Sequence, residues 1–209
     1  MASRGLFISF EGIDGSGKST QARMLHDRLV AQGERPLLTR EPGGSPGAEE
    51  IRRLLVEGEA HRWSPESEIL LFTAARRDHL ERRIRPALTE GRTVITDRFA
   101  DSTRVYQGAA RADLRGLVDR LHAEVIAVEP DLTLVIDMAP ETALARGLAR
   151  DSGEDRFEEM GLDFQHRLRD GFRALAAEAP TRVHLVESDR PPEVVAQDVA
   201  DLVAAARTA

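Results

Sequence analysis

Leu6-Phe7-Ile8-Ser9-Phe10-Glu11-Gly12-Ile13-Asp14-Gly15-Ser16-Gly17-Lys18-Ser19-Thr20 runs from an apolar segment through a glycine-rich turn into a helix-forming stretch. Residues 12–20 fit the pattern G-x-x-x-x-G-K-[ST], and each part has a physical reason. Glycine permits positive φ and close backbone approach, so successive N–H groups turn inward around phosphate oxygens. A helix starting near Ser19 adds the positive end of its dipole. Lys18 reaches the β and γ phosphates, and the Ser19 hydroxyl ligates Mg²⁺. Gly12, Ile13, Asp14, Gly15, Ser16, Gly17, Lys18, Ser19 and Thr20 are therefore read as a nucleoside-triphosphate-binding loop between a strand and a helix, which leaves a GTPase, an ATPase motor and a small kinase open.

Short apolar runs alternate with longer helical patterns along the rest of the chain. Strands are expected over 6–10, 36–39, 93–96, 132–136 and 183–186. Helices are expected over 19–32 (with Gly33 past its end), 48–56, 65–83, 114–128, 140–148, 157–177 and 191–206. In the helix over 65–83, Ile69, Leu70, Phe72, Thr73 and Leu80 form the expected inner stripe. The stretch 40–47 is a Pro/Gly-rich loop, and 151–155 is a polar break. Apolar strands alternating with helices specify an α/β fold with a parallel sheet covered on both faces. No repeat, linker or low-complexity tract divides the chain, so 1–209 is read as a single domain, fraying over 204–209.

Composition narrows the function. The 209 residues carry 29 basic and 36 acidic side chains, a net charge of −7, which argues against nucleic acid or a membrane surface as partner. A hydrophobic content of 41% with 31% charged residues is that of a globular chain. The absence of cysteine removes disulfides, thiolate metal sites and cysteine nucleophiles. No apolar run approaches the ~20 residues of a membrane span, and the N-terminus lacks signal-peptide character, so a cytoplasmic protein is expected. There is one lysine, Lys18, against 28 arginines, and no asparagine. The Asn-Lys-x-Asp motif of guanine-specific GTPases therefore has no place here.

Two apolar strands end in aspartate, at Asp97 and Asp137. A carboxylate at the C-terminal end of a strand beside the loop can hold Mg²⁺. Asp97 is favoured because Arg98 follows it, setting a guanidinium for an acceptor phosphate beside a carboxylate for metal. Asp137 reads equally well as the cap of a turn. Arg146, Arg150 and Arg156 surround the polar break, and 146–157 reads either as a solvated helix end in an arginine-rich chain or as a lid that brings arginine to the transferring phosphoryl group.

With these pieces in place, the chain resembles the bacterial thymidylate kinases over nearly its whole length. The resemblance rests on Phe10-Glu11-Gly12 entering the loop, Thr39-Arg40-Glu41-Pro42-Gly43-Gly44, and Leu71-Phe72-Thr73-Ala74-Ala75-Arg76. It continues in Asp97-Arg98-Phe99, Ser102-Thr103-Arg104-Val105-Tyr106-Gln107-Gly108, Pro130-Asp131-Leu132-Thr133-Leu134 and Asp155-Arg156-Phe157-Glu158.

It implies a three-layer nucleoside-monophosphate kinase fold with a five-stranded parallel sheet of order 2-3-1-4-5. That order sets Asp97 beside the loop and supports it over Asp137. It implies transfer of the γ-phosphoryl group of MgATP to dTMP, with another small nucleoside or nucleotide kinase of the same fold as the alternative. By resemblance, Phe72 stacks on thymine, Arg76 bonds the base, and Thr103 and Gln107 complete its recognition. Tyr106 sits against the deoxyribose and Asp14 contacts its 3′-hydroxyl. Arg40, Arg52 and Arg98 surround the dTMP phosphate. The catalytic set is then Lys18, Asp97, Arg98 and a lid arginine, Arg150 or Arg156, with Arg146 on ATP, Ser19 and Asp97 on Mg²⁺, and a homodimer as the assembly.

Overall fold

The chain is described from a computed structural model over residues 4–57, 62–111, 113–148 and 160–208. Five short strands form one sheet: β1 (Phe7–Glu11), β2 (Leu37–Arg40), β3 (Val94–Asp97), β4 (Leu132–Asp137) and β5 (Val183–Glu187). Their order is β2-β3-β1-β4-β5 and every pairing is parallel. The expected order is the observed one.

Alternation along β1 and β4 divides the core. Ile8, Phe10, Leu134 and Ile136 point to one face, against α1 (Lys18–Ala31) and α9 (Pro192–Ala206), which supply Leu25, Leu29, Val195 and Val199. Val135 and Val183 meet α8 (Leu162–Glu178) on the opposite face through Phe164, Leu168 and Phe172. Phe7 and Val94 pack there with Leu80, Ile84 and Phe99. Each such side chain, fully buried, contributes roughly 1.5–3 kcal/mol.

Sequence periodicity places the helices well and their ends less well. α2 (Pro46–Val56) starts two residues before its expected position, because Pro46 takes the first helical site with Ser45 ahead of it. α3 (Pro65–His79) has Ser64 as its cap, accepting from the Ser67 N–H at 3.2 Å. It runs through wider i to i+5 turns (Leu80–Ile84) into α4 (Arg85–Thr89). Its buried stripe is Ile69, Thr73, Arg76 and Leu80; Leu70 stands 57% exposed on the next face. α6 (Arg115–Leu121) continues over His122–Ile126 and stops at Ala127, whose φ of 53° is left-handed.

α7 (Pro140–Leu148) occurs where expected. α8 begins at Leu162, and the earlier start expected at 157 lies outside the described residues. α4 extends past the helix end expected at 83, and among the described residues a further helical element lies where none was expected. α5 (Ala100–Thr103) and its wider-turn continuation Arg104–Arg111 follow β3 directly. Asp101, Thr103, Arg104 and Gln107 are buried there among Ala100, Val105 and Tyr106, so polar residues interrupt the inward face and blur any apolar period.

Candidate active site

The sheet order sets the site. β3 lies between β1 and β2, with Asp97 paired to Phe10 on one side and Arg40 on the other. The loop after β1 thus meets the C-terminal ends of β2 and β3 at one edge of the sheet. Gly12, Gly15 and Gly17 all hold positive φ. Gly15 also lies hard against α7: a Cβ there would fall 1.9 Å from the Ala143 carbonyl oxygen. The first turn of α1 carries no acidic residue, which leaves its positive end available to an anion.

Lys18 is 6% exposed, and its Nζ donates to the Ile13 carbonyl at 2.7 Å. Burial pushes its pKa down to about 8, with the nearby Arg98 charge acting in the same direction against Asp14, Asp97 and Glu11. The Ser19 hydroxyl donates to Asp97 Oδ2. These are two hard oxygen donors beside a phosphate cradle, the set Mg²⁺ takes when substrate phosphates supply the rest. Among the described residues no group of three or more His, Cys, Asp or Glu could hold a metal without such help.

Asp137 is differently engaged. Arg169 binds it through two nitrogens at 2.7 and 3.0 Å, and Arg173 adds a third bond at 2.7 Å. Burial raises its pKa, and the two arginines outweigh that and lower it. The carboxylate ties β4 to α8.

Arg98 leaves β3 with a left-handed φ of 72°, a strained setting for a side chain of this size. Its guanidinium donates to Ser102 Oγ at 2.9 Å, to the Tyr106 hydroxyl at 3.1 Å, to the Gly12 carbonyl at 3.3 Å and to Asp14. Tyr106 O–H donates to the other Asp14 oxygen at 2.9 Å. Burial works against ionised Asp14, but Arg98 and Lys18 prevail and hold its pKa down to about 2. The cation expected to meet an acceptor phosphate is thus already paired within the loop.

Beneath them lies Glu11, fully buried. It accepts from the Phe99 N–H at 2.7 Å and from the Ser102 hydroxyl at 2.5 Å. Burial, helped by the charge of Asp101, raises its pKa to about 8. Sequence reading gave Glu11 no role, although a carboxylate inside an apolar strand is a visible signal.

One cavity of about 460 Å³ gathers the expected residues. Asp14, Gly15, Gly17, Lys18, Ser19, Arg40, Arg52, Phe72, Arg76, Asp97, Arg98, Thr103, Tyr106 and Gln107 all line it, as do Glu41, Pro42 and Ser102. Arg76 donates Nε to Glu41 at 2.7 Å, and Nη2 to Thr103 Oγ1 at 3.0 Å and the Phe99 carbonyl at 3.1 Å. Gln107 donates to buried Glu68 at 3.2 Å. Arg52 Nη1 donates to the Pro42 carbonyl at 2.5 Å, and exposed Arg40 lies 3.4 Å from Glu49.

Across the loop lies a second cavity of about 330 Å³, lined by Ser16, Thr20, Gln21, Arg146 and Arg190 among others. Ile13 is not in either lining; its side chain is core and its carbonyl holds Lys18. Arg150 and Arg156, and most of the expected lid, lie outside the described residues.

Comparison with known proteins gives a consistent result. The family model described as thymidylate kinase matches residues 10–199. The thymidylate kinase of Jannaschia sp. (strain CCS1) is 69% identical over 95% of this chain and 95% of its own. That of Dinoroseobacter shibae is 70% identical over 95% of this chain and 96% of its own. A crystal structure of thymidylate kinase from Ehrlichia chaffeensis superposes with a TM-score of 0.79 at 34% identity, covering 96% of this chain and 99% of that one.

Proposed function

The chain belongs to the thymidylate kinase family, and on that footing we propose that its two cavities hold dTMP and ATP, with the γ-phosphoryl group passing between them at Lys18. The observation that carries this reading is the single lining that joins Lys18, Ser19 and Asp97 to Arg40, Arg52 and Arg98 and then to Phe72, Arg76, Thr103 and Gln107. Donor phosphates, acceptor phosphate and base follow one another along it.

An oxygen of the dTMP phosphate attacks the γ-phosphorus in line, and the bond to the β-phosphate oxygen breaks, giving dTDP and ADP. The acceptor is already anionic at pH 7, so no general base is required. The chain's contribution is placement and charge. Loop N–H groups and the α1 terminus hold the donor phosphates, Lys18 offsets charge between the β and γ groups, and Arg98 with Arg40 and Arg52 aligns the acceptor. Ser19 and Asp97 would hold Mg²⁺, which neutralises donor-phosphate charge when bound. Arg150 or Arg156 adds a further cation to the transferred group, and Arg146 belongs to the ATP side. Phe72 offers a ring face to thymine, Arg76, Thr103 and Gln107 read its edge, and Asp14 and Tyr106 meet the sugar.

Among the described residues no helix is long and apolar enough to cross a membrane, and we place the enzyme in the cytoplasm. We take it to be a homodimer, as the family resemblance implies; light scattering should then give twice 23.1 kDa.

The deciding experiment measures ADP release with ATP over dTMP, dUMP, dCMP, AMP, GMP and thymidine. dTMP should be preferred, with dUMP behind it by about tenfold or more, since a methyl-sized pocket discriminates by ~1–3 kcal/mol. Equal turnover of the purine monophosphates would overturn the assignment of the base site.

A further inference from the structure

We propose that His79 is a positioning residue for nucleotide recognition, acting through Glu41 on the orientation of Arg76. The inference rests on Arg76 as a base contact.

Arg76 and His79 stand one turn apart on α3, and both face inward, 4% and 0% exposed. Glu41, buried just past β2, bridges them. Its Oε2 accepts from Arg76 Nε at 2.7 Å, and its Oε1 lies 3.1 Å from His79 Nδ1. A carboxylate oxygen in its ionised form only accepts, so Nδ1 carries the proton at this contact. In the neutral ring, Nε2 then accepts from the Thr39 hydroxyl, 2.7 Å away. The chain Thr39–His79–Glu41–Arg76–Thr103 thus crosses from β2 to the cavity, each link a hydrogen bond.

Gly44 packs against its outer end. A Cβ there would fall 2.4 Å from His79 Nε2 and 2.5 Å from Thr39 Oγ1, and its φ of 85° is itself left-handed. The Arg-Glu-Pro-Gly-Gly stretch at 40–44 therefore supplies the carboxylate and leaves room for the histidine behind it.

At its inner end, Arg76 spends Nε and Nη2 on the protein, with its guanidinium carbon 5.2 Å from the centre of the Phe99 ring. Among the described residues Nη1 has no hydrogen-bond partner, and Arg76 lines the cavity. A planar fork bonds a base edge well only if its plane is held. Glu41 fixes that plane, and His79 fixes Glu41 by donating to the oxygen Arg76 does not use. His79 is absent from the cavity lining, so its influence on dTMP must pass through this chain.

The test is a double-mutant cycle read in steady-state kinetics and thermal unfolding. His79→Leu removes the donor and keeps an apolar side chain. It should raise KM for dTMP about tenfold while KM for ATP stays within about twofold. His79→Asn, whose amide can donate from nearly the same place, should recover most of the loss. In an Arg76→Lys background, which keeps a charge beside Glu41, adding His79→Leu should cost less than about twofold.

Unchanged KM for dTMP in His79→Leu, or equal rises for both substrates, overturns the proposal. So does full multiplication of the two effects in the double variant. If Arg76→Lys itself leaves KM for dTMP unchanged, the reading of Arg76 falls and this proposal with it. A raised KM in Arg76→Lys alone sinks the histidine link only. Should His79→Leu fail to fold, Thr39→Val removes just the outer hydroxyl and should give a shift of about two- to threefold with the same substrate selectivity; no shift overturns the proposal.

Discussion

The two cavities on either side of the phosphate loop are built in different ways. The larger one is cross-linked throughout: Arg98 to Asp14 and Tyr106, Ser102 to Glu11, Arg76 to Glu41 and Thr103, Gln107 to Glu68. The smaller one is linked mainly at its rim, where Gln21 Nε2 donates to the Pro192 carbonyl at 2.9 Å and Arg190 to Asp198 at 2.6 Å. Nearer the loop, among the described residues, Ser16 Oγ and Gln21 Oε1 are buried without a hydrogen-bond partner, and Arg146 has the Met138 sulfur at 3.5 Å. The contrast fits the proposed division of labour. Reading one base and setting one phosphate in line demands side chains fixed before the ligand arrives. Gripping a triphosphate is done largely by backbone N–H groups and a helix end, which tolerate varied surroundings.

Lys18 breaks this division most sharply, because it sits on the donor loop and yet is as buried as the acceptor wall. Lys18→Ala should lower kcat by about 10³-fold, a loss typical of removing a cation aimed at developing charge. The far-ultraviolet circular dichroism should not change, since the side chain's contacts among the described residues stay within the loop: a hydrogen bond to the Ile13 carbonyl and a 3.8 Å ion pair with Asp14. Lys18→Arg should also lose most activity: a planar guanidinium is too broad for a ring of backbone N–H groups. Near-full turnover in Lys18→Ala would show that the phosphates lie elsewhere. Near-full turnover in Lys18→Arg would leave the site in place and end the steric account of why a chain with 28 arginines keeps one lysine.

The donor side was the more legible half in sequence, although the acceptor side is the more ordered. The loop is a contiguous pattern whose spacing alone dictates its geometry. The largely apolar β1, β3 and β4 are likewise plain, because a strand buried on both faces needs no regular polar alternation. The acceptor wall is assembled from the ends of β1, β2 and β3, from α2 and α3, and from α5 with its continuation, across long sequence separations. Arg98 is legible from its place after the strand-end Asp97, but the base-side members become recognisable through a family resemblance rather than through periodicity.

Polar burial is the physical reason. Asp101 bonds Arg104 at 2.6 Å and Arg182 at 2.6 Å, and Thr133 bonds Ser9 at 2.9 Å, so the face of α5 that should look apolar looks solvated. The same effect hides Glu41 and His79, both buried and polar. Leu70 errs in the other direction, an apolar residue exposed on the outer side of its helix. The sequence reads Asp137 as a metal ligand or as the cap of a turn, and two arginines on α8, far away in the chain, occupy it instead.

Paired substitutions sharpen the contrast at smaller scale. Tyr106→Phe deletes a hydroxyl that donates to Asp14 and accepts from Arg98. In a wall already fixed, that loss leaves a carboxylate oxygen short of a donor. KM for dTMP should rise about tenfold, with KM for ATP within about twofold. Arg146→Ala should do the reverse and more weakly, raising KM for ATP about threefold with dTMP unaffected, because an exposed arginine is screened and mobile. If each variant moves both constants together, the two cavities are one energetic unit and the division is wrong.

The smallest effect tests whether the two sides share electrostatics. In the free protein the Lys18 pKa is lowered to about 8, chiefly by burial and then by Arg98, a member of the acceptor wall. Bound phosphates favour the ammonium, so ADP binding must raise that pKa and draw in a proton wherever the free site has lost one. The sign follows: affinity is flat well below pH 8 and falls as pH rises past it, by at most about tenfold per pH unit. Calorimetric titration of ADP in buffers of different ionisation enthalpy should show almost no proton uptake at pH 6.5 and uptake approaching one proton above pH 9.

Two neighbours bear on the result. Asp14, held at about 2, stays ionised throughout this range and contributes nothing to it. Glu11, raised to about 8, loses its proton in the same window, and its new charge would favour the ammonium and blunt the effect. Glu11→Gln should therefore keep the uptake, whereas Lys18→Arg should abolish it. Uptake that vanishes in Glu11→Gln and survives in Lys18→Arg would transfer the titration to the carboxylate beneath the acceptor wall. The coupling between the two sides would then run through Glu11 and Ser102 rather than through the charge pair of Lys18 and Arg98.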